Sequence, residues 1–401
     1  MNKFAKISLV TSLALAGLSS SAMAADTLAE AFSNGKLKGA LKSYYFAQTF
    51  EGAGKNDSSI WANGGSLNFV TDSFNGVVLG ATLQTSHVAD KDDLDGKTKT
   101  SMDAQGSVLS ESYLQYTLNN TAFKGGRQFV STPLVAGSGS RLIKEAFEAY
   151  LVKNTDISNT TILAGKITKY QGRTDFVGQS PYTTAGSSNG GAGEFEKIGT
   201  DGIDTIYVKN TSIPNLAVQA QYAKVDNALD NFYADATYKI DGDLKPFIAV
   251  QYHGTDYETA ATKDSDLMGI KAGLTVSGLN LFAAYTTTDD DGSVNRGLGQ
   301  GAYKTFTSTT KTAGGSSYTA GTDSWQIGAA YKFGALSTKL RYSQFDLPTA
   351  GADLDETTLN LGYKFSGALK NLSASVDFSV LDYETDASDS TDLRTRLIYT
   401  F

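Results

Sequence analysis

The chain has 401 residues, no cysteine, and 42 acidic against 34 basic residues, for a net charge of −8. The lack of cysteine excludes a disulfide framework and thiolate metal sites, and the acidic balance argues against nucleic acid as a partner. Beyond the first two dozen residues no run reaches the ~20 apolar residues of a membrane helix, so with 21 Tyr, 20 Phe, 41 Gly and 5 Pro the reading left open is a set of strands that give only alternate residues to lipid.

The N-terminus carries Lys3 and Lys6, an apolar run over residues 7–18, and the small-x-small triplet Ala22-Met23-Ala24. That order predicts a cleaved secretory leader over residues 1–24, too short to span a bilayer as a helix. Residues 25–401 read as one domain, since no linker interrupts them. About eighteen candidate strands follow. The first nine fall near 36–49, 60–71, 76–88, 109–118, 122–130, 145–153, 160–168, 203–209 and 215–225. The others fall near 231–240, 244–253, 266–276, 279–287, 323–333, 336–346, 355–365, 371–383 and 392–401.

Period-2 alternation is clearest at the C-terminal end. Leu372, Ala374, Val376, Phe378 and Val380 alternate with Ser373, Ser375, Asp377 and Ser379, and Leu393, Leu397, Tyr399 and Phe401 oppose Arg394, Arg396 and Thr400. The two faces want different solvents. In a soluble sandwich the apolar face would be a core, but the connections alternate between short and long as in a membrane barrel. The tight turns are 72–75, 119–121, 154–159, 210–214, 241–243, 277–278, 334–335 and 367–370. Among the long polar connections are 89–108, 169–202 and 288–322, which the parity places outside the cell. The expected fold is all-β, a transmembrane antiparallel barrel with short periplasmic turns and long extracellular loops. Trp61 and Trp325 fit its interfacial girdles.

Acidic residues crowd the expected loops, as at Asp90, Asp92, Asp93 and Asp95 or Asp289, Asp290 and Asp291. Basic ones recur within strands, opposite the apolar face: Lys38, Lys42, Lys271, Lys332, Lys339, Arg341, Lys364, Arg394 and Arg396. A cation facing lipid at the bilayer midplane costs roughly 2–4 kcal/mol, so these side chains should line the lumen. Closing the barrel makes neighbours of most of the strands that carry them. A wall of this kind can select anions, or it can merely solvate the lumen.

Several motifs carry a resemblance. They are Gly126-Arg127-Gln128, Pro133-Leu134-Val135, Ser140-Arg141-Leu142, Phe147-Glu148, Leu163-Ala164-Gly165-Lys166 and Arg173-Thr174-Asp175, with Tyr44-Tyr45-Phe46, Trp61-Ala62, Asp72 and Gly76 before them. This stretch, residues 36–175, resembles the OprD-type specific porins of bacterial outer membranes. The resemblance implies an 18-stranded barrel, inward-folded loops that narrow the pore, and a ladder of basic residues on the lumen wall. It places Arg141 in a constriction loop, where a guanidinium offers a planar fork to carboxylates. A salt bridge from Arg141 to Glu145 or Glu148 is the structural alternative. The terminal Leu397, Tyr399 and Phe401 are similar to the assembly signal of outer-membrane barrels, which implies barrel-assembly machinery, lipid and lipopolysaccharide as partners. A homotrimer is among the assemblies such a barrel can form.

Other motifs lead nowhere. Residues 90–96 faintly suggest a calcium loop, but Met102 stands where the bidentate Glu of an EF-hand belongs. Gly190-Gly191 and Gly297, Gly299 and Gly301 neither follow a buried strand nor open a helix, so a phosphate cradle is not expected. Ser86 and His87 are adjacent on a strand and face opposite ways, so they form no catalytic pair. The facing of Arg127 and of strand 145–153 is open, because both registers of alternation can be drawn. The expectation is a water-filled porin for small polar solutes, favouring small organic anions such as carboxylates, with no catalytic residues, no metal and no cofactor. A non-selective diffusion porin and a secreted β-rich adhesin are the alternatives.

Overall fold

The computed structural model describes residues 25–52, 54–94, 102–174, 193–259, 261–302, 305–311, 315–350, 352–385 and 388–401. The expected leader, Asp95, Asp175 and Gly190-Gly191 lie outside the described residues. The first strands are β1 (Lys36–Phe50), β2 (Ser58–Val70), β3 (Val77–Asp93), β4 (Gly106–Leu118), β5 (Thr121–Gln128), β6 (Ala146–Asn154) and β7 (Thr160–Gln171). There follow a two-residue β8 (Glu196–Lys197), then β9 (Ile203–Asn210), β10 (Leu216–Val225), β11 (Leu229–Lys239), β12 (Phe247–Tyr257) and β13 (Ser265–Val276). The last are β14 (Leu279–Thr288), β15 (Asp323–Phe333), β16 (Leu336–Asp346), β17 (Leu354–Lys364), β18 (Leu372–Tyr383) and β19 (Ser390–Thr400).

Each strand pairs antiparallel with its neighbours, and β7 pairs directly with β9, leaving β8 as a short strip on the end of β7. The ring closes where β1 meets β19, from Ala40 opposite Thr400 to Phe50 opposite Ser390. Eighteen staves therefore form a closed antiparallel barrel among the described residues. Closure removes every free sheet edge, which a bilayer would leave unsatisfied.

The wall is inverted relative to a soluble protein. Ile327, Leu340, Leu397 and Phe378 are 51, 51, 44 and 38 % exposed on the outside, whereas Ser343, Thr358 and Ser379 are fully buried on the inside. At the end with tight turns, Asn75, Asn119, Asn159, Asn215 and Ser277 take left-handed backbone conformations, with φ between 48° and 67°. Asn tolerates that region through local hydrogen bonding, which suits it to these two-strand reversals.

Two features were not expected from periodicity. A short helix, α1 (Leu28–Ser33), starts with a capping box in which the Thr27 side chain accepts from the Glu30 amide and Glu30 answers. It packs under the barrel, with Phe32 stacked on Phe69 and Asp72 N donating to Ala31 O. The other concerns facing. Lys124, Gln128, Phe147, Ala149 and Leu151 point inward and are buried, while Tyr150 is 57 % exposed outside and Glu148 pairs outside with Lys169. Arg127, opposite Glu148, also faces out, stacked on Phe195 at 4.3 Å. Both faces of this wall carry apolar residues, which is why alternation alone left it ambiguous.

At the seam, Gly39 and Phe401 exchange backbone hydrogen bonds, and the Phe401 ring occupies the space where a Cβ on residue 39 would sit, 2.3 Å away. Deleting Phe401 is expected to lower the yield of folded barrel in the outer membrane severalfold while export continues. Heat-modifiable mobility of the membrane fraction checks this, and an unchanged folded fraction would remove the C-terminal aromatic pattern as an assembly signal.

Candidate pore constriction

After β5 the chain does not stay outside. Residues 129–145 fold into the lumen because the inner faces of β6, β7, β9 and β10 are apolar, with Phe147, Leu163, Ile167, Ile203 and Tyr207 at most 3 % exposed. Val130, Leu134 and Val135 join them in one buried cluster. A second segment enters between β14 and β15. The expectation that 288–322 is an external loop fails over much of its length, since Leu298 N donates to Leu134 O and Ala136 N to Leu298 O. Gly297 and Gly299, with φ of 92° and 82°, lie where a Cβ would come within 2.3 and 2.4 Å of the carbonyls of Leu134 and Ala136. They serve close backbone approach.

Glu145 clasps the two loops. Fully buried, it accepts from Ser138 N and Gln300 N at 2.8 Å each and from the Tyr170 hydroxyl at 2.6 Å, with Arg173 Nε 3.8 Å away. The second loop then crosses to the opposite wall. Arg341 donates to Ser308 O and the Thr310 hydroxyl at 2.9 and 2.8 Å, and Lys311 N donates to Glu356. Lys311 Nζ reaches Asp392 at 2.9 Å and Gln48 at 3.2 Å, on β19 and β1. The two loops together narrow the lumen.

The anticipated site residues divide into three groups. Arg141 is 5 % exposed, its guanidinium 4.9 Å from the Phe46 ring, and among the described residues it bonds only to Ser140. Its Nε has no partner, and neither Glu145 nor Glu148 pairs with it. Burial, then repulsion from Arg173, Arg394 and Arg396, pull its pKa well below the ordinary arginine value. An arginine nonetheless stays charged at neutral pH. Arg394 and Arg396 flank the same ring at 5.5 and 5.1 Å, but each has a carboxylate: Asp392 at 2.6 Å and Asp377 at 2.5 Å. Lys42 donates to Leu142 O at 2.9 Å.

In the second group, Lys271 and Lys339 sit over the Phe282 ring at 4.3 and 5.4 Å, with Arg341 on the same face of β16 as Lys339. None of these three has a carboxylate within ion-pairing distance among the described residues. Lys38, Lys332 and Lys364 form the third group. They share the lumen-facing parity but are exposed, near the tight-turn end and apart from the constriction.

Sequence reading missed Lys311, Glu356 and Lys144, named Glu145 only as an alternative partner of Arg141 and Arg173 only within a motif, and did not pair Asp392 or Asp377 with the arginines. The aspartates were legible, since Asp392 and Asp377 share inward parity with Arg394 and with their serine neighbours. The loop residues carry no period that could have announced them. Met102 proves to be a buried neighbour of Tyr44, Phe46 and Leu142, so the end of that expected outer loop also turns inward. Ser86 is buried inside and His87 exposed outside, as expected.

A closed barrel with an apolar exterior and a cation-lined constriction held by two tethered loops is a membrane channel rather than an enzyme. The chain belongs to the OprD family of outer-membrane porins, whose family model matches residues 30–401. Among solved structures it is similar to OpdO of Pseudomonas aeruginosa, with a TM-score of 0.76 and 18 % identity over 93 % of this chain and 98 % of that one. It is equally similar to OccK9 (OpdG) of the same organism, with a TM-score of 0.77 and 19 % identity over 92 % and 99 %. OccAB4 of Acinetobacter baumannii gives 0.76 and 15 % over 92 % and 98 %. No curated relative matches the chain with significance. These likenesses share the barrel fold.

Proposed function

We propose that the channel passes small polar solutes by diffusion and favours small organic anions, carboxylates first. One observation carries this reading: Arg141, Lys42, Lys144, Lys271, Lys339 and Arg341 lack a carboxylate partner among the described residues, in a chain whose net charge is −8. Cations without a carboxylate partner, Arg141, Lys144, Lys271 and Lys339 among them over aromatic rings, lower the energy of a carboxylate in a narrow lumen and offer Arg141 as a planar fork. Neutralised Arg394, Arg396 and Lys311 favour the second reading, a general diffusion porin whose lumen charges cancel.

In this reading residues 1–24 are a cleaved leader. Residues 25–401 form one barrel inserted by the assembly machinery, in contact with lipid and lipopolysaccharide. Neither Lys271 nor Lys339 tethers a loop, so Lys271→Gln with Lys339→Gln tests the charge alone. An ion ~8 Å from a unit charge in water feels ~0.5 kcal/mol, so each cation removed changes the anion-to-cation ratio about fivefold at most. The double variant is expected to lose anion preference severalfold at low salt, read as a reversal potential. The same ratio as the parent would favour the diffusion porin.

A further inference from the structure

The chain has two histidines, and they face opposite ways. His87 is exposed on the outer wall, whereas His253 of β12 points into the barrel and is 2 % exposed. Its ring lies edge-on to Tyr233 of β11, 5.9 Å away, and to Tyr318 of the second inward loop, 5.5 Å away. The ring donates to the backbone of Asn295 in that loop, and its other nitrogen, Nε2, is buried without a partner. The neutral form therefore carries its single proton towards Asn295.

Around the imidazole the loop is sealed to the wall. Tyr318 and Val294 pack with Leu267 of β13 in one buried cluster, and Val294 N donates to Tyr318 O at 2.9 Å. Asn295 N donates to the Thr255 hydroxyl and the Tyr257 hydroxyl to Ser293 O, at 2.8 and 2.9 Å. Among the described residues no charged side chain acts on the ring. On β11 it faces Tyr233, with Asn231 and Asp235 to either side, and Asp235 accepts from Tyr233 and Gln219. On β13 it faces Leu267, and Lys271, four residues along the same side, sits over Phe282. Gln251, Thr255 and Tyr257 share its side of β12, Arg296 follows Asn295 in the loop, and Asp256 and Asp266 point outward.

A protonated imidazole carries two N–H donors. Here the second would be buried with neither acceptor nor counter-charge, a cost that water would remove. Proton uptake is thus tied to lifting Tyr318 and Val294 off the wall.

We propose that His253 is an acid-sensitive latch: neutral, it holds residues 293–296 and 316–318 against the wall, and protonated, it releases them into the lumen, where they close the channel briefly. The anchors further along the loop, Leu298 on Leu134, Gln300 on Glu145 and Lys311 on Glu356, stay in place, so the released stretches swing between fixed points. The docked state binds no proton at the ring, and the released state binds one below about pH 6.5. The ratio of released to docked is constant above that value. Below it the ratio rises by about tenfold per pH unit at most, reaching about thirtyfold at pH 5.

Single-channel recording at about pH 7.5 and about pH 5 tests the latch on the unaltered protein, on His253→Phe, which keeps an edge-on ring, and on His253→Gln, which keeps a donor for Asn295. Neither variant can take up the proton. Closures should become roughly ten- to thirtyfold more frequent on acidification in the parent and in neither variant. Protonation of Glu145 or Glu356 would loosen the loop in all three proteins alike. Acid closures equally frequent in parent and both variants would therefore overturn the latch, as would a parent whose closures do not respond to pH. A second measurement needs no substitution. Hydrogen–deuterium exchange of the unaltered protein, corrected for the intrinsic effect of pH, should show the Val294 amide losing protection on acidification while those of Leu298 and Gln300 keep theirs. Protection of Val294 that is the same at both pH values would also overturn it.

Discussion

Replacing Glu145 by alanine should unfasten both inward loops and give the largest rise in conductance of any single substitution in this channel. The carboxylate is the meeting point of Ser138, Gln300, Tyr170 and Arg173. Its loss leaves Arg173 buried without its counter-charge and three donors unmatched. Breaking one partner of a buried pair costs about 3–5 kcal/mol, more than the few hydrogen bonds joining residues 134–136 to 297–301 can offset. The staves themselves do not depend on Glu145, so the barrel should still fold while the constriction widens and selectivity drops. Glu145→Gln keeps one acceptor oxygen and should fall between parent and alanine. Single-channel recording of the three proteins decides, and identical conductance would show that the loops hold without this clasp.

The second large effect is electrostatic. Arg141→Glu swaps a guanidinium that no carboxylate neutralises for a carboxylate flanked by Arg173, Arg394 and Arg396. Relative to the parent, an anion ~8 Å away loses and a cation gains ~1 kcal/mol in water, ~2 kcal/mol in their ratio, so the permeability ratio moves about thirtyfold towards cations. Reversal potentials for parent and variant under one salt gradient measure this. A shift no larger than that of Lys271→Gln alone, which removes one charge and not two, would mean that Arg141 does not face the solute path.

The barrel was legible in the sequence because a bilayer imposes a rule on every stave. Val376, Phe378 and Val380 must face lipid, so Asp377 and Ser379 fall inside, and the pairings of β17, β18 and β19 follow that alternation. Strand ends were less legible. β3 continues to Asp93 beyond the lipid belt, where no solvent difference marks its faces, and β12 starts at Phe247 because Pro246 has no amide to give a ladder. The constriction was half legible. Arg394, Arg396, Lys339 and Lys271 were placed in the lumen by alternation alone. What their charges are worth was not, because Asp392, Asp377 and the incoming Lys311 set it through contacts between segments far apart in the chain. The loop over 288–322 was read as external from its polar composition, and the loop over 130–144 was placed inward only by the family resemblance. They turn inward because Leu134, Val135 and Leu298 find an apolar inner wall, a fact that becomes visible only once the strands are closed into a ring.

The most direct test is the reversal potential of the unaltered channel in a planar bilayer, under a gradient of a potassium salt of a small carboxylate. At low ionic strength the potential should carry the sign of an anion-preferring pore, and it should shrink as the salt approaches 1 M, where the Debye length falls to ~3 Å. A potential of zero, or one of the cation-preferring sign at low salt, would contradict the account and leave a pore whose inward aspartates and glutamates cancel its cations.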